Sequence, residues 1–278
     1  MLGHEFMRNA FLAGTFVAPA CGLVGYFVVL RAQVFAGDAL SHVAFTGALA
    51  AAAAGIDVRV GLFAATILVA LGMGAAGERA HADDAVIGSF FAWILGLGAL
   101  FLSIFTTSSS GGGGNGTAGV RVLFGSIFGL SVSEARLAAA LGALAVVVML
   151  AVARPLLFTS VDVEVAEAEG VRVTLVGLMF LGVLGLVAAE ATQAVGALLL
   201  LGLLSAPAGA AHRLTANPYR GLALSAALAL VAMWGGLTLS YLVPSLPPSS
   251  MIISLAMAIY VVAALGWRTE NPKLESVR

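Results

Sequence analysis

Hydrophobic positions in this chain neither alternate nor form narrow amphipathic stripes. They come in runs of about 20, separated by short polar punctuation, and about 20 apolar residues are what a helix needs to cross ~30 Å of hydrocarbon. The pattern predicts spans near 10–30, 36–54, 58–77, 85–105, 131–153, 172–189, 192–211, 221–243 and 249–267, or one span fewer if the close pair within 172–211 is a single crossing. The first run follows Arg8, as a signal peptide would. It continues to Leu30 and meets Arg31 with no small-residue cleavage signature, so it reads as a retained span.

Composition strengthens this picture. The chain has 278 residues, 61% of them hydrophobic and 10% charged, with a mean hydropathy of +1.07. Soluble domains do not reach these values. The expectation is therefore an all-α polytopic membrane protein of about 8–9 spans, folded as a single transmembrane domain over 1–278. The net charge of −1 says nothing about partners, no nucleic-acid partner is expected, and the single cysteine, Cys21, excludes an internal disulfide or a thiolate metal cluster.

Orientation follows from the basic residues of the loops. One set of alternate loops holds Arg31, Arg79, Arg154, Arg172, Arg213, Arg220, Arg268, Lys273 and Arg278; the other holds Arg8, Arg59, Arg121 and Arg136. This excess puts the first set and the C-terminus in the cytoplasm of a cell membrane, and with nine spans the N-terminus lies outside.

Two loops stand out. The tract "TTSSSGGGGNGTAGV" (106–120) cannot pack a core and reads as an extracytoplasmic linker. Its glycines are no phosphate cradle: the chain's one lysine, Lys273, is followed by Leu274, so no P-loop exists and no ATPase activity of its own is expected. After it, "VLFGSIFGLS" (122–131) is too short to span and reads as re-entrant or interfacial. The second loop covers 155–171. Pro155 is expected to stop one helix, and Asp162, Glu164, Glu167 and Glu169 then form a short acidic helix ended by Gly170. It is either a solvated connector or a cytoplasmic docking helix for a soluble partner.

The stretch "FAGDALSHVAFTGAL" sets Asp38 and His42 four residues apart in an otherwise oily run. On a helix these positions share a face, with Cβ atoms ~5–6 Å apart. A carboxylate and an imidazole together suit Zn²⁺, Mn²⁺ or Fe²⁺, whereas Ca²⁺ and Mg²⁺ want more oxygens. The alternative is that Asp38 caps the helix and His42 is an interfacial histidine. Spacing alone leaves both open.

The surrounding words carry more. "GDALSHVAFTGALAAAAAG" resembles the Asp-Ala-Leu-Ser-His signature of the membrane permeases of metal ABC importers, the ABC-3 family for zinc, manganese and iron. The resemblance continues in order through "DDAVIGSFFAWILGLG", "VLFGSIFGLS", "VDVEVAEAEGVRV" and "QAVGALLLLGLLSAPAGAAHRLT". One departure is "HVAFTG", where many members have Leu-Pro-Gly; Thr46 removes nothing that a metal requires and leaves selectivity open. The resemblance implies a permease dimer, of two identical chains or of close paralogues, carrying two copies of an ABC ATPase subunit. It also implies a metal-binding delivery protein outside and alternating access through the lipid bilayer. Carried over, the metal-contacting residues are Asp38 and His42, and the segment coupling to the ATPase is Glu164, Ala166, Glu167, Ala168 and Gly170. Nothing is held as a permanent cofactor; the metal is cargo.

Other polar residues are weaker candidates. Glu190 reads as a cap between two spans near the outer face, or as an additional metal contact. His212 reads as a cytoplasmic anchor, His81 with Asp83 and Asp84 as a solvated loop or exit site, and His4 as uninformative. Gly47, Gly72, Gly74, Gly196 and Gly202 are expected to let helices approach closely. Neither H-E-x-x-H nor G-x-S-x-G occurs, which argues against an intramembrane enzyme. An ion-gradient-driven transporter or channel is the alternative, but it would show paired repeats and several buried acids.

Overall fold

A computed structural model describes residues 3–76, 84–108, 125–197 and 200–270. Among them the chain forms α1 (Glu5–Leu30), α2 (Val34–Ala53), α3 (Val58–Ala76), α4 (Asp84–Ser108), α5 (Val132–Val161), α6 (Val163–Ala168), α7 (Val173–Val195), α8 (Leu200–Leu214), α9 (Pro218–Leu242) and α10 (Pro248–Glu270), with a 3₁₀ turn over Ile127–Gly129. No strand occurs among the described residues, as hydrocarbon demands of a chain whose backbone bonds must close within each segment. Eight helices are long and apolar enough to cross a membrane: α1 to α5 and α7, α9 and α10.

α1 is the hub of the bundle, buried almost continuously from Val17 to Val28. Lipid gives no hydrophobic reward for helix association, so close approach has to come from small residues and cross-helix hydrogen bonds. A β-carbon on Gly22 would lie 2.6 Å from the Ser225 carbonyl oxygen on α9, and the Ser225 hydroxyl donates to the Gly22 carbonyl at 2.6 Å. Asn9 reaches from α1 to donate to the Leu130 carbonyl at 3.1 Å, fixing the turn that leads into α5.

The contacts also give the helix directions. Gly14 meets Met233 and Gly22 meets Ser225, so α1 and α9 are antiparallel. Gly236 meets Ile252 and Gly235 meets Leu255, so α9 and α10 are antiparallel too. Gly202 meets Ile253 and Gly209 meets Tyr260, so α8 runs with α10 and therefore with α1. Among the described residues the chain thus passes through the bundle nine times, and α1 and α10 both run from the Glu5 end toward the Arg31 end.

The seventh pass, α8, differs from the expected span over 192–211. α7 continues to Val195, Gly196 breaks it with φ 99°, and α8 is described over Leu200–Leu214. These 15 residues are about 22 Å long and would not cross the hydrocarbon unaided. It does not need to, because no residue from Leu200 to Arg213 is exposed. At its far end His212 Nε2 lies 3.1 Å from the Tyr26 carbonyl and the two rings stack at 4.2 Å, so the residue read as an anchor grips α1.

Pro155 was expected to stop a helix, but it lies inside α5, which runs on to Val161. Neighbouring helices tolerate proline in this way at membrane depth. The short acidic helix is therefore α6 alone. Asp162 caps it by accepting from the Val165 N–H at 3.0 Å. Gly170, with φ 82°, ends it as expected: the N–H groups of Gly170 and Val171 return to the carbonyls of Glu167 and Ala166. The part of "VLFGSIFGLS" that is described, from 125 on, is no span: it holds the 3₁₀ turn, with Ile127 buried and Gly129 and Ser131 exposed. It lies at the Glu5 end, where the Ser126 N–H donates to the Gln193 carbonyl of α7. Residues 109–120 of the Gly/Ser tract, His81 and Asp83 lie outside the described residues.

Candidate functional site

α2 starts at Val34, four residues before Asp38, and Gln33 occupies the cap position. Asp38 therefore does not cap the helix; it sits one turn inside. Together with His42 and Thr46 it forms an i, i+4, i+8 stripe. Asp38 and His42 are both half-buried. Ser41 of the same word spends its hydroxyl on the Asp38 carbonyl, donating at 2.7 Å.

The stripe faces α4. Asp38 lines a cavity of about 370 Å³ with Phe35, Ala39, Ile87, Gly88 and Phe91. His42 stands over Phe91 edge to face, with ring centroids 5.2 Å apart and planes at 71°. The carboxylate is thus the acidic group of an otherwise apolar recess, and the imidazole sits one turn above it. Among the described residues no cluster of three or more His, Cys, Asp and Glu side chains is assembled.

Glu190 is not a cap between spans. It lies inside α7, 5% exposed, and lines a closed space with Val17 and Ala20 of α1, Leu141 and Gly142 of α5, and Leu186 and Val187. Its Oε2 has no hydrogen-bond partner among the described residues. The Asp38 recess opens between α2 and α4, so these contacts do not bring Glu190 to the pair.

At the Arg31 end α6 buries Ala166 and exposes Glu164, Glu167, Ala168, Glu169 and Gly170. Val161 just before it is 82% exposed. The result is a short, capped acidic helix with apolar residues on its outside. At the opposite end sequence reasoning missed a polar cavity of about 600 Å³, lined by Asp57, Arg59, Ser126, Ser131, Ser133, Glu134 and Gln193 among others. Arg59 and Glu134 form an ion pair across it. Glu134 also closes a capping box, accepting from the Ser131 N–H at 2.6 Å. The motif Ser131-x-x-Glu134 was visible in the sequence; its pairing with Arg59, more than 70 residues away, was not.

The glycine readings divide. Gly47 packs on Gly61 and Ala65 of α3, and Gly202 on Ile253. Gly72 has only ordinary contact with Phe90 at 3.7 Å, and Gly196 serves the break by its positive φ.

Comparison with known proteins now adds to this geometry. The family model described as "ABC 3 transport family" matches residues 3–266. The manganese transport system membrane protein MntC of Halalkalibacterium halodurans is 25% identical over 264 residues, covering 95% of this chain and 88% of that protein. A probable iron transport system membrane protein of Haemophilus influenzae is 27% identical, covering 94% of each. The solved structure of PsaBC from Streptococcus pneumoniae in complex with Fab superposes with a TM-score of 0.79 at 24% identity, over 94% of this chain and 91% of that one. With the nine-pass helical bundle and a match running almost from end to end, the chain belongs to the ABC 3 transport family of membrane permeases.

Proposed function

We propose that this chain is the permease subunit of an ATP-driven importer of divalent transition metal ions, with Mn²⁺ the first cargo to test and Fe²⁺ and Zn²⁺ next. The observation that carries the reading is the Asp38–His42 pair, one turn apart on α2 and turned toward the recess beneath Phe91. A borderline oxygen–nitrogen pair with open positions binds a partly hydrated ion well enough to admit it and weakly enough to release it. The manganese and iron roles in the names of the relatives support the same cargo.

The Arg31 end, with α6 and the C-terminus, faces the cytoplasm, in line with the excess of basic loop residues there. A second permease copy, identical or a close paralogue, completes the path and supplies the missing ligands. Two separate ATPase subunits dock on α6, where Glu164, Ala166, Glu167, Ala168 and Gly170 form the contact and its frame. A metal-binding delivery protein docks at the Glu5 end over the polar cavity around Arg59 and Glu134. Closure of the ATPase pair pushes α6, and the α5–α7 pair that it joins, to open the path past Asp38. Glu190 is an additional contact only if an open state uncovers its closed space.

The test is metal uptake by cells carrying the whole transporter, comparing wild type with Asp38→Ala and His42→Ala at equal membrane level for Mn²⁺, Fe²⁺ and Zn²⁺. Collapse of uptake for one metal supports the reading and names the cargo; normal uptake in both variants overturns the site. Uptake that persists without ATP but stops when ion gradients are dissipated would instead make the chain a secondary transporter.

A further inference from the structure

Thr46 completes the Asp38–His42 stripe one turn further from the Arg31 end. It is 5% exposed, and its hydroxyl donates to the Ile94 carbonyl of α4 at 3.2 Å. A β-carbon on Gly98, the next turn of α4, would stand 2.7 Å from the Thr46 Oγ1. α2 and α4 are therefore in close contact at Thr46, and the recess beside Asp38 opens between them on the side nearer the Arg31 end.

α4 packs by one face. Along 85–104 it buries Ile87, Ile94 and Gly98, with Phe91 half-buried on the same face, and Trp93, Leu95, Leu100 and Leu102 are exposed. α2 is held on its other side, where Gly47 packs on Gly61 and Ala65 of α3. The outer half of α2 is thus fixed, and the face of α4 that carries Ile87, Phe91, Ile94 and Gly98 packs toward it. The ring of Phe91 lies one turn from Ile94, so the hydroxyl-to-carbonyl link at Thr46 sets how Phe91 meets His42. It also sets how wide the recess at Asp38 stands.

We infer that Thr46 is a positioning residue for cation passage: by clamping α4 to α2 through the Ile94 carbonyl, it fixes Phe91 against His42 and so sets which divalent cation the Asp38–His42 face passes. This inference rests on the proposed transport function. Thr46 itself touches no cation; it acts through α4.

The experiment uses the complete transporter in cells, with uptake of Mn²⁺ and of Zn²⁺ measured separately and normalised to permease in the membrane. Thr46→Val keeps the shape and removes the hydroxyl; Thr46→Ser keeps the hydroxyl. Thr46→Val should lower Mn²⁺ uptake roughly three- to fivefold, the worth of one buried cross-helix hydrogen bond, and shift the Mn²⁺-to-Zn²⁺ ratio. Thr46→Ser should restore both. Gly98→Ala disturbs the same seam from α4 and should shift the ratio in the same direction.

A hydroxyl with only a structural role would lower both metals in proportion to membrane level and leave the ratio alone. Normal rate and ratio in Thr46→Val, or a fall in both metals that leaves the ratio unchanged, overturns the inference. If Thr46→Val does not reach the membrane, Gly98→Ala decides: an unchanged ratio overturns it. Asp38→Ala and His42→Ala run alongside. If they transport normally, the pathway reading fails; if they collapse while Thr46→Val is normal, only the role of Thr46 fails.

Discussion

Gly47 and Gly61 meet backbone to backbone where α2 crosses α3: a β-carbon on Gly47 would lie 2.5 Å from the Gly61 carbonyl oxygen and 2.5 Å from the Ala65 methyl. Backbone cannot yield as the tip of a flexible side chain can, so larger residues must push the helices apart. Gly47→Val should destabilise the protein by about 1–3 kcal/mol. Gly72→Ala, with nothing nearer than Phe90 at 3.7 Å, should be neutral or stabilising by up to about 1 kcal/mol. Thermal unfolding of the detergent-purified chain checks the contrast.

Asp38 lies inside α2 and not at its start, so removing its charge should leave the helix intact. Asp38→Asn is therefore expected to reach the membrane at wild-type level and to lose at least about tenfold in metal uptake, since an amide is a far poorer ligand than a carboxylate. Uptake within twofold of wild type would show that the carboxylate is not on the path.

At Gly170 the backbone has φ 82°, a region that costs an L-residue about 1–2 kcal/mol. Gly170→Ala should loosen the end of α6 and uncouple the ATPase, seen as ATP hydrolysis that no longer tracks metal uptake. Gly55, at φ 71° in the α2–α3 turn, carries the same backbone cost at the other end of the bundle. Gly55→Ala should leave the ratio of hydrolysis to uptake unchanged.

The Arg59–Glu134 pair is about 30% exposed on both sides, and screening limits such a pair to about 0–1 kcal/mol. Glu134 also satisfies the Ser131 N–H, and losing that cap is worth about 0.5–2 kcal/mol. Glu134→Ala should therefore destabilise more than Arg59→Ala, with Glu134→Gln close to Arg59→Ala because it keeps the cap. Melting temperatures of the three variants check the order.

The spans were legible because hydrocarbon imposes one rule on every lipid-facing helix: its length and its apolarity. The rule failed where lipid is absent. α8 is sheathed by α1, α9 and α10, so its 15 described residues never had to meet the length requirement, and the break before it at Gly196 could not be read. Pro155 misled for a related reason: proline punctuates helices in water, whereas packing carries α5 through it. Asp38 and His42 were legible as a pair from helical spacing. That they turn toward α4 was not, since α2 is apolar on every side and only tertiary contacts choose its faces. Glu190 looked like a cap because an acid near a predicted boundary usually is one; once the boundary moved to Val195, it became a buried side chain.

That sheathed helix has one more consequence. A bilayer that thickens or thins forces lipid-facing helices to tilt or stretch their surroundings, at a modest cost for each ångström of mismatch. α8 has no lipid face from Leu200 to Arg213, so its position is keyed to its neighbours and not to the acyl chains. When membrane composition changes, the lipid-facing helices adjust around the buried α1–α8 pair, and the grip of His212 on Tyr26 stays in place. The protein thus carries an internal ruler that does not change length with the membrane around it.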